Sequence, residues 1–192
     1  MEARTAAKAS PRVLIVLVLV AIAAFILDQG SKYFVVTTLK PDEVVPVLGD
    51  LLQFQFVKNP GAAFSIGNAY TWIFSILASA VTVFIVWFSR RIRSLGWAIV
   101  FGLLLGGVLG NLTDRLFREP GFGVGHVIDF LRIPLLPAIF NIADTAIVVS
   151  MGLFLILTLR GIGLDGSRPV RPGDEESDEL QGSSAASPGE TS

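Results

Sequence analysis

The chain has no cysteine and a single histidine, His126, in 192 residues. The first absence excludes disulfides, a thiol nucleophile and any thiolate metal site. The second excludes a two-histidine zinc motif and argues against a Ser-His-Asp triad. Charge is scarce as well. Lys, Arg, Asp and Glu make up 16% of the residues, against about 25% in a water-soluble domain, whereas 52% are hydrophobic. The deficit is concentrated in long apolar runs, which excludes a soluble globular fold. The formal net charge of −1 conceals an asymmetry: residues 161–192 carry seven acids and two arginines, and residues 1–160 carry thirteen Lys and Arg and nine acids. A mildly basic body bears an acidic tail, and no nucleic-acid partner is expected.

What is present in abundance is membrane-spanning sequence. A span needs about 20 predominantly apolar residues at about 1.5 Å each. Four segments qualify, from about Pro11 to Thr37, Tyr70 to Phe88, Gly96 to Phe117 and Ala138 to Arg160. The first has the basic start and apolar core of a signal peptide. The residues after it, Asp28-Gln29-Gly30-Ser31-Lys32, offer no small-x-small cleavage site, and apolar residues resume at Tyr33, so a retained span is expected. Arg4, Lys8 and Arg12, then Arg90, Arg91 and Arg93, then Arg160, Arg168 and Arg171 fall on one side of a four-span arrangement. Both termini are therefore expected in the cytoplasm, with connections 38–69 and 118–137 outside. Within the first connection, Val44 to Leu48 and Leu51 to Val57 flank Gly49-Asp50, which reads as a hairpin on the membrane surface. The segment from Gly163 onward is rich in Ser, Gly, Pro and acids, and is expected to be a disordered cytoplasmic tail. The reading is thus an all-α integral membrane protein with four transmembrane helices, a small outer β-structure at about 40–69, a membrane body over 1–162 and a tail over 163–192.

The polar residues of the spans converge. Each ionisable group at the bilayer centre costs about 2.5–3.5 kcal/mol on insertion scales, so it is a functional candidate. Asp28 lies about 22 Å along the first span from Val13, with Lys32 one turn further. Asn111, Asp114 and Arg115 fall near the outer end of the third span. Asn141 and Asp144 open the fourth, and Asp129 precedes it. All share one layer near the outer face. Gly102, Gly106 and Gly110 form a four-residue repeat on the third span that reads as a packing stripe leading to that layer. Asp28 and Lys32, at i,i+4, read as a buried ion pair that fixes the first helix. A Ser31-Lys32 nucleophile pair is disfavoured, because adjacent helical residues point about 100° apart.

Asp129 and Asp144 are the stronger chemical pair. Two carboxylates brought together at low dielectric do not both ionise, so one keeps a proton while the other takes one from water. That suits amide hydrolysis without Ser, Cys or metal. The spacing leaves open a helix-capping Asp144 and a structural Asp129.

These residues lie in five blocks: Asp28-Gln29-Gly30-Ser31-Lys32; Asn59-Pro60-Gly61-Ala62-Ala63-Phe64-Ser65; Gly106-Gly107 through Gly110-Asn111-Leu112-Thr113-Asp114-Arg115; Val127-Ile128-Asp129-Phe130; and Phe140-Asn141-Ile142-Ala143-Asp144. In that order, over about 13–160, the chain resembles the lipoprotein signal peptidases (signal peptidase II), the membrane aspartic peptidases of bacteria. The resemblance implies four transmembrane helices, an extracytoplasmic β-cradle and an outer loop carrying a short helix. It implies removal of the signal peptide from diacylglyceryl-modified prolipoproteins, just before the lipidated cysteine, which belongs to the substrate. It implies Asp129 and Asp144 as the catalytic dyad. It further implies Asn59, Asn111, Arg115 and Asn141 lining or supporting the substrate site, and Asp28, Lys32 and Asp114 holding its shape. No metal or other cofactor is expected. The partners are prolipoprotein substrates, membrane lipids and globomycin-type inhibitors, and the protein is expected to act as a monomer in the bacterial cytoplasmic membrane with its site facing outward. The acidic tail is not part of the family core.

Phe54, Phe56 and Phe64 fit either an acyl-chain cradle or interfacial anchors. Other functions suit parts of the pattern. A proton relay through Asp28, Asp114 and Asp144 lacks polar residues in the cytoplasmic halves of the spans. A magnesium-dependent membrane lipid-phosphate enzyme would use the outer carboxylates and respond to EDTA. A non-catalytic lipid-binding membrane protein would leave Asp129→Asn and Asp144→Asn silent.

Overall fold

The computed structural model describes residues 11–61 and 70–167. Four helices dominate: α1 (Pro11–Thr38), α2 (Thr71–Phe88), α3 (Leu95–Phe117) and α4 (Ile142–Leu159). Each is long and apolar enough to cross a membrane. At about 1.5 Å per residue α1 reaches about 42 Å, beyond the ~30 Å hydrocarbon core. Helix α3 is central: 61% of its apolar window is buried, against 17–28% for the other three. The uncovered apolar faces of α1, α2 and α4 suit lipid, where a helix satisfies all its backbone bonds internally.

The glycine stripe sets how closely α3 is approached. A Cβ on Gly106 would lie 2.5 Å from the Ala21 carbonyl oxygen of α1, and one on Gly107 would lie 2.6 Å from the Ala143 carbonyl oxygen of α4. A Cβ on Gly110 would collide with the Asp28 carboxylate. At Gly106 and Gly107 the nearest atom is backbone, which cannot swing aside as a side chain could. Gly106→Ala is expected to destabilise the fold by about 1–3 kcal/mol. Gly152→Ala, where a Cβ meets nothing within 4 Å, is expected to be neutral or slightly stabilising. Thermal unfolding in detergent compares the two.

The connections build one antiparallel sheet of strands β1 (Val44–Pro46), β2 (Gln53–Asn59), β3 (Val127–Arg132) and β4 (Ile139–Phe140), in that spatial order. The expected hairpin is β1–β2, with Val44 opposite Gln55. The sequence places strands in the first connection alone. The second supplies two more strands, and β4 occupies residues that had been assigned to the fourth span, so α4 starts at Ile142 instead of Ala138. The register of β2 on β3 shifts between Phe54 and Val57. Such a bulge re-aims the side chains beyond it. Here it brings Val57 opposite Asp129 and Asn59 opposite Val127, so Asn59 and Asp129 become diagonal neighbours on one face.

Val35 of α1 packs with Phe56, Ile128 and Phe130, which seats the sheet on the end of α1. Phe54 meets Phe130 edge to face at 5.7 Å. Phe54 and Phe56 thus serve the seam between sheet and helices; Phe64 lies outside the described residues. At the opposite end, the chain after α4 returns to the α2–α3 turn. The backbone N–H groups of Arg93 and Ser94 donate to the Leu164 carbonyl at 2.9 and 3.0 Å, and Trp97 Nε1 donates to the Ile162 carbonyl at 3.0 Å. The tail beyond 167, and residues 62–69 of the first connection, lie outside the described residues.

Candidate active site

Asp129 stands on β3 and is 3% exposed. Asp144 stands in the first turn of α4, half-buried. The fourth helix opens with a capping box. Asn141 Oδ1 accepts from the Asp144 backbone N–H at 2.9 Å, and Asp144 Oδ2 accepts from the Asn141 N–H at 3.1 Å. Asp144 does cap its helix, and in the same pose its other oxygen, Oδ1, accepts from Asn111 Nδ2 at 2.8 Å. Asn141 reaches the other carboxylate: its Nδ2 donates to Asp129 Oδ1 at 2.7 Å and to Asn111 Oδ1 at 3.1 Å. Asn59 Nδ2 donates to Asp129 Oδ2 at 2.8 Å. Three asparagines from three elements therefore hold the two carboxylates over one cavity of about 480 Å³, lined also by Arg115 and Phe140 and by apolar residues of α2, α3 and α4.

Beneath this layer lies a buried charge cluster. Lys32, with no exposed side-chain surface, pairs with Asp28 at 2.8 Å and Asp114 at 2.7 Å. Its ammonium also donates to Asn111 Oδ1 at 3.0 Å. Asp28 accepts the Ala143 N–H at 2.9 Å, tying α1 to the start of α4. Asp114 pairs in addition with Arg118 and accepts from the Ile128 N–H at 3.3 Å. The expected Asp28–Lys32 pair is thus part of a larger cluster across α1 and α3. Ser31 donates to the Asp28 carbonyl at 2.8 Å, and Lys32 is fully engaged, so the two form no nucleophile pair.

Arg115, 6% exposed, clamps the chain after β2. Its Nη2 donates to the Gly61 carbonyl at 2.5 Å and its Nη1 to the Pro60 carbonyl at 3.4 Å. Its guanidinium lies 5.2 Å from the Phe74 ring centre. Asn59 Oδ1 accepts from the Gly61 N–H at 2.9 Å, closing the same turn.

All nine sequence-derived residues therefore meet in one contiguous layer. Two others were missed as site residues. Gln29 Nε2 donates to the Gly110 carbonyl at 3.0 Å, and Arg118 neutralises Asp114. Arg118 carried a signal, because it lies four residues after Asp114 at the end of a helix.

The surroundings of Asp129 favour its protonated form. Burial foremost, then the negative charge of Asp144, pushes Asp129 up to about 7, against the opposing pull of the Asn59 and Asn141 amides. Asp144 sits in the first turn of a helix, where the macrodipole favours negative charge. A proton held on Asp129 near neutral pH follows from its placement. Among the described residues no three His, Cys, Asp or Glu side chains cluster as a metal site requires. A larger apolar groove of about 930 Å³ on the outward face of α2 contains none of these polar groups.

The profile of the family "Signal peptidase (SPase) II" matches residues 20–160. A lipoprotein signal peptidase of Leifsonia xyli is 63% identical over 181 residues, covering 94% of this chain and 81% of the relative. A lipoprotein signal peptidase of Streptomyces coelicolor is 50% identical over 152 residues, 79% of this chain and 74% of the relative. That of Mycobacterium tuberculosis is 42% identical over 159 residues, 83% and 78% respectively. Two solved structures of a bacterial membrane enzyme, obtained by the in meso method, are similar. One has a TM-score of 0.70 at 27% identity, covering 85% of this chain and 98% of its own. The other has a TM-score of 0.68 at 28% identity, covering 82% and 99%.

Proposed function

This chain belongs to the signal peptidase II family, and from that premise we propose that it removes signal peptides from diacylglyceryl-modified prolipoproteins, with Asp129 and Asp144 as its catalytic dyad. The observation that carries the assignment is the joining of both carboxyls through Asn141 and Asn111 over one cavity. Asp144 takes a proton from water as the water oxygen attacks the scissile carbonyl carbon, and Asp129 gives its proton to the carbonyl oxygen. The tetrahedral diol collapses when the proton on Asp144 passes to the leaving nitrogen and Asp129 recovers the hydroxyl proton. Asn59, Asn111 and Asn141 orient the dyad. Arg115 holds the edge of the cavity, and the Asp28–Lys32–Asp114 cluster anchors the helices that carry the asparagines. The cavity's apolar walls on α2, α3 and α4 suit a signal-peptide segment arriving from the bilayer.

The direct test is turnover of a diacylglyceryl-modified precursor by the purified protein, with the new N-terminus identified by mass spectrometry. Cleavage just before the modified cysteine, undiminished by EDTA, is expected. Loss of turnover in EDTA would instead favour a metal-dependent enzyme. The same assay reads the proton. Asp129 is protonated below about 7, so the singly protonated dyad disappears as pH rises through that value, and the rate should fall about tenfold per pH unit above it. The apparent midpoint belongs to the pair. A rate that climbs through pH 7 to an alkaline plateau would contradict a proton-bearing Asp129.

The proposed orientation has both termini in the cytoplasm and the sheet outside, with the peptidase body over 1–162 and the acidic tail over 163–192 in the cytoplasm. It is supported by Arg90, Arg91 and Arg93 at the α2–α3 turn and Arg160 at the end of α4. The cytoplasmic membrane, an outward-facing site, inhibition by globomycin-type peptides and action as a monomer complete the proposal. The chain has no native thiol, so single cysteines report topology cleanly. Leu48→Cys is expected to react with an impermeant maleimide on intact cells and Arg90→Cys only after lysis. The reverse pattern would invert the orientation.

A further inference from the structure

A second polar cleft lies behind the sheet, away from the carboxylate pair. Its volume is about 390 Å³, and it is walled by β2, β3, the ends of α1 and α3 and the loop that follows α3. Lys58, Arg118 and His126 line it with one acid, Glu119. Its apolar wall includes Val36 and Phe117, which are 40% and 76% exposed.

Its height in the membrane follows from helix length. Val36 lies about 38 Å along α1 from Pro11, and Phe117 about 33 Å along α3 from Leu95. Both exceed the ~30 Å hydrocarbon thickness, so the cleft lies at headgroup level on the sheet side. Apolar side chains open to lipid and basic side chains at headgroup height match the two parts of a phospholipid.

We propose that this cleft binds the phosphate of an anionic phospholipid, with an acyl chain laid against Val36 and Phe117. The charges suit a singly charged phosphodiester. Asp114 holds Arg118 in place and takes up its charge, so the cation available to the phosphate is Lys58, whose ion pair with Glu119, at 3.0 Å with 50% and 86% side-chain exposure, lies at the surface. A surface pair of that kind contributes little, and Glu119 can turn to water as the phosphate takes Lys58. His126 supplies an N–H on the loop side. Burial, then the positive charges of Lys58 and Arg115, holds its imidazole below the usual range, in keeping with an electropositive cleft. Bound there, the lipid bridges β2, α3 and the loop that Gly125 ties to the Arg115 carbonyl.

The test uses the full-length protein in detergent and reads lipid retention by native mass spectrometry, independently of peptide cleavage. Phosphatidylglycerol and phosphatidylcholine with identical acyl chains are titrated separately. Preferential retention of phosphatidylglycerol is expected. Lys58→Gln should weaken it about fivefold, the worth of one lysine at an anionic surface. Lys40→Gln, an exposed lysine on the same side but outside the cleft, should change it less than twofold. If Lys58→Gln fails to fold, His126→Leu makes the same comparison against Lys40→Gln. Equal retention of the two lipids, or equal losses in cleft and control variants, would overturn the proposal. So would displacement of phosphatidylglycerol by millimolar inorganic phosphate, which would identify free phosphate as the ligand.

Discussion

Asp129→Asn or Asp144→Asn is expected to lower turnover of a lipid-modified precursor by at least about 10²–10⁴-fold, the range of a positioned acid or base. The protein should remain folded and inserted. An amide cannot hold and release a proton at this pH, yet it keeps the size of the carboxyl. The losses should not add. Because the two groups act as one unit, the double variant should be no slower than the worse single one. The structure separates the folding consequences. Asp129 accepts two amide donors, from Asn59 and Asn141, and an asparagine there can satisfy only one with its single oxygen. Asp144 forms half of a capping box, so Asp144→Asn should cost α4 part of a cap, about 0.5–2 kcal/mol. Precursor binding that persists while cleavage is lost would establish that the defect is chemical. Turnover near the wild-type rate in either variant would remove that residue from the dyad.

The largest stability effect is expected at Lys32. Lys32→Met fills similar volume but withdraws the cation between Asp28 and Asp114, all three with fully buried side chains. Stripping one member from a buried ionic cluster costs about 3–5 kcal/mol, because the remaining charge has neither water nor partner. Asp114 keeps Arg118, so the uncompensated charge falls on Asp28. The double variant Lys32→Met with Asp28→Asn should therefore be more stable than Lys32→Met alone, as removing a whole buried pair is often near neutral. Thermal unfolding in detergent gives the ordering. Activity should fall in both, since Lys32 also fixes Asn111, which donates to Asp144. If Lys32→Met unfolds like the wild type, the cluster is not what locks α1 to α3.

These effects depend on features that the sequence displays unevenly. The four spans and the shared depth of Asp28, Asn111, Asp114, Asn141 and Asp144 are legible because hydropathy and rise per residue fix depth along a helix. The Gly102–Gly106–Gly110 stripe was equally legible as packing, and it does press α3 onto α1. Periodicity does not say which helix faces meet, so the Lys32–Asp114 bond across helices was invisible where the i,i+4 pair with Asp28 was not. Strand β3 hid for another reason. Val127 to Phe130 are all buried, so the stretch reads as an apolar run without the alternation that marks a half-exposed strand. Strand β4 is two residues long and abuts a helix, and hydropathy merged it with the span. The bulge in β2 that aims Asn59 at Asp129 has no local signature.

What remains is the proton itself. Infrared titration of the folded protein, with Asp129→Asn as reference, observes the carboxyl directly. The expected result is a protonated-carboxyl band that is present below neutrality, fades as pH rises through about 7 and is missing from the variant. A wild-type spectrum with no such band, or one identical to that of Asp129→Asn at every pH, would contradict a proton shared by Asp129 and Asp144.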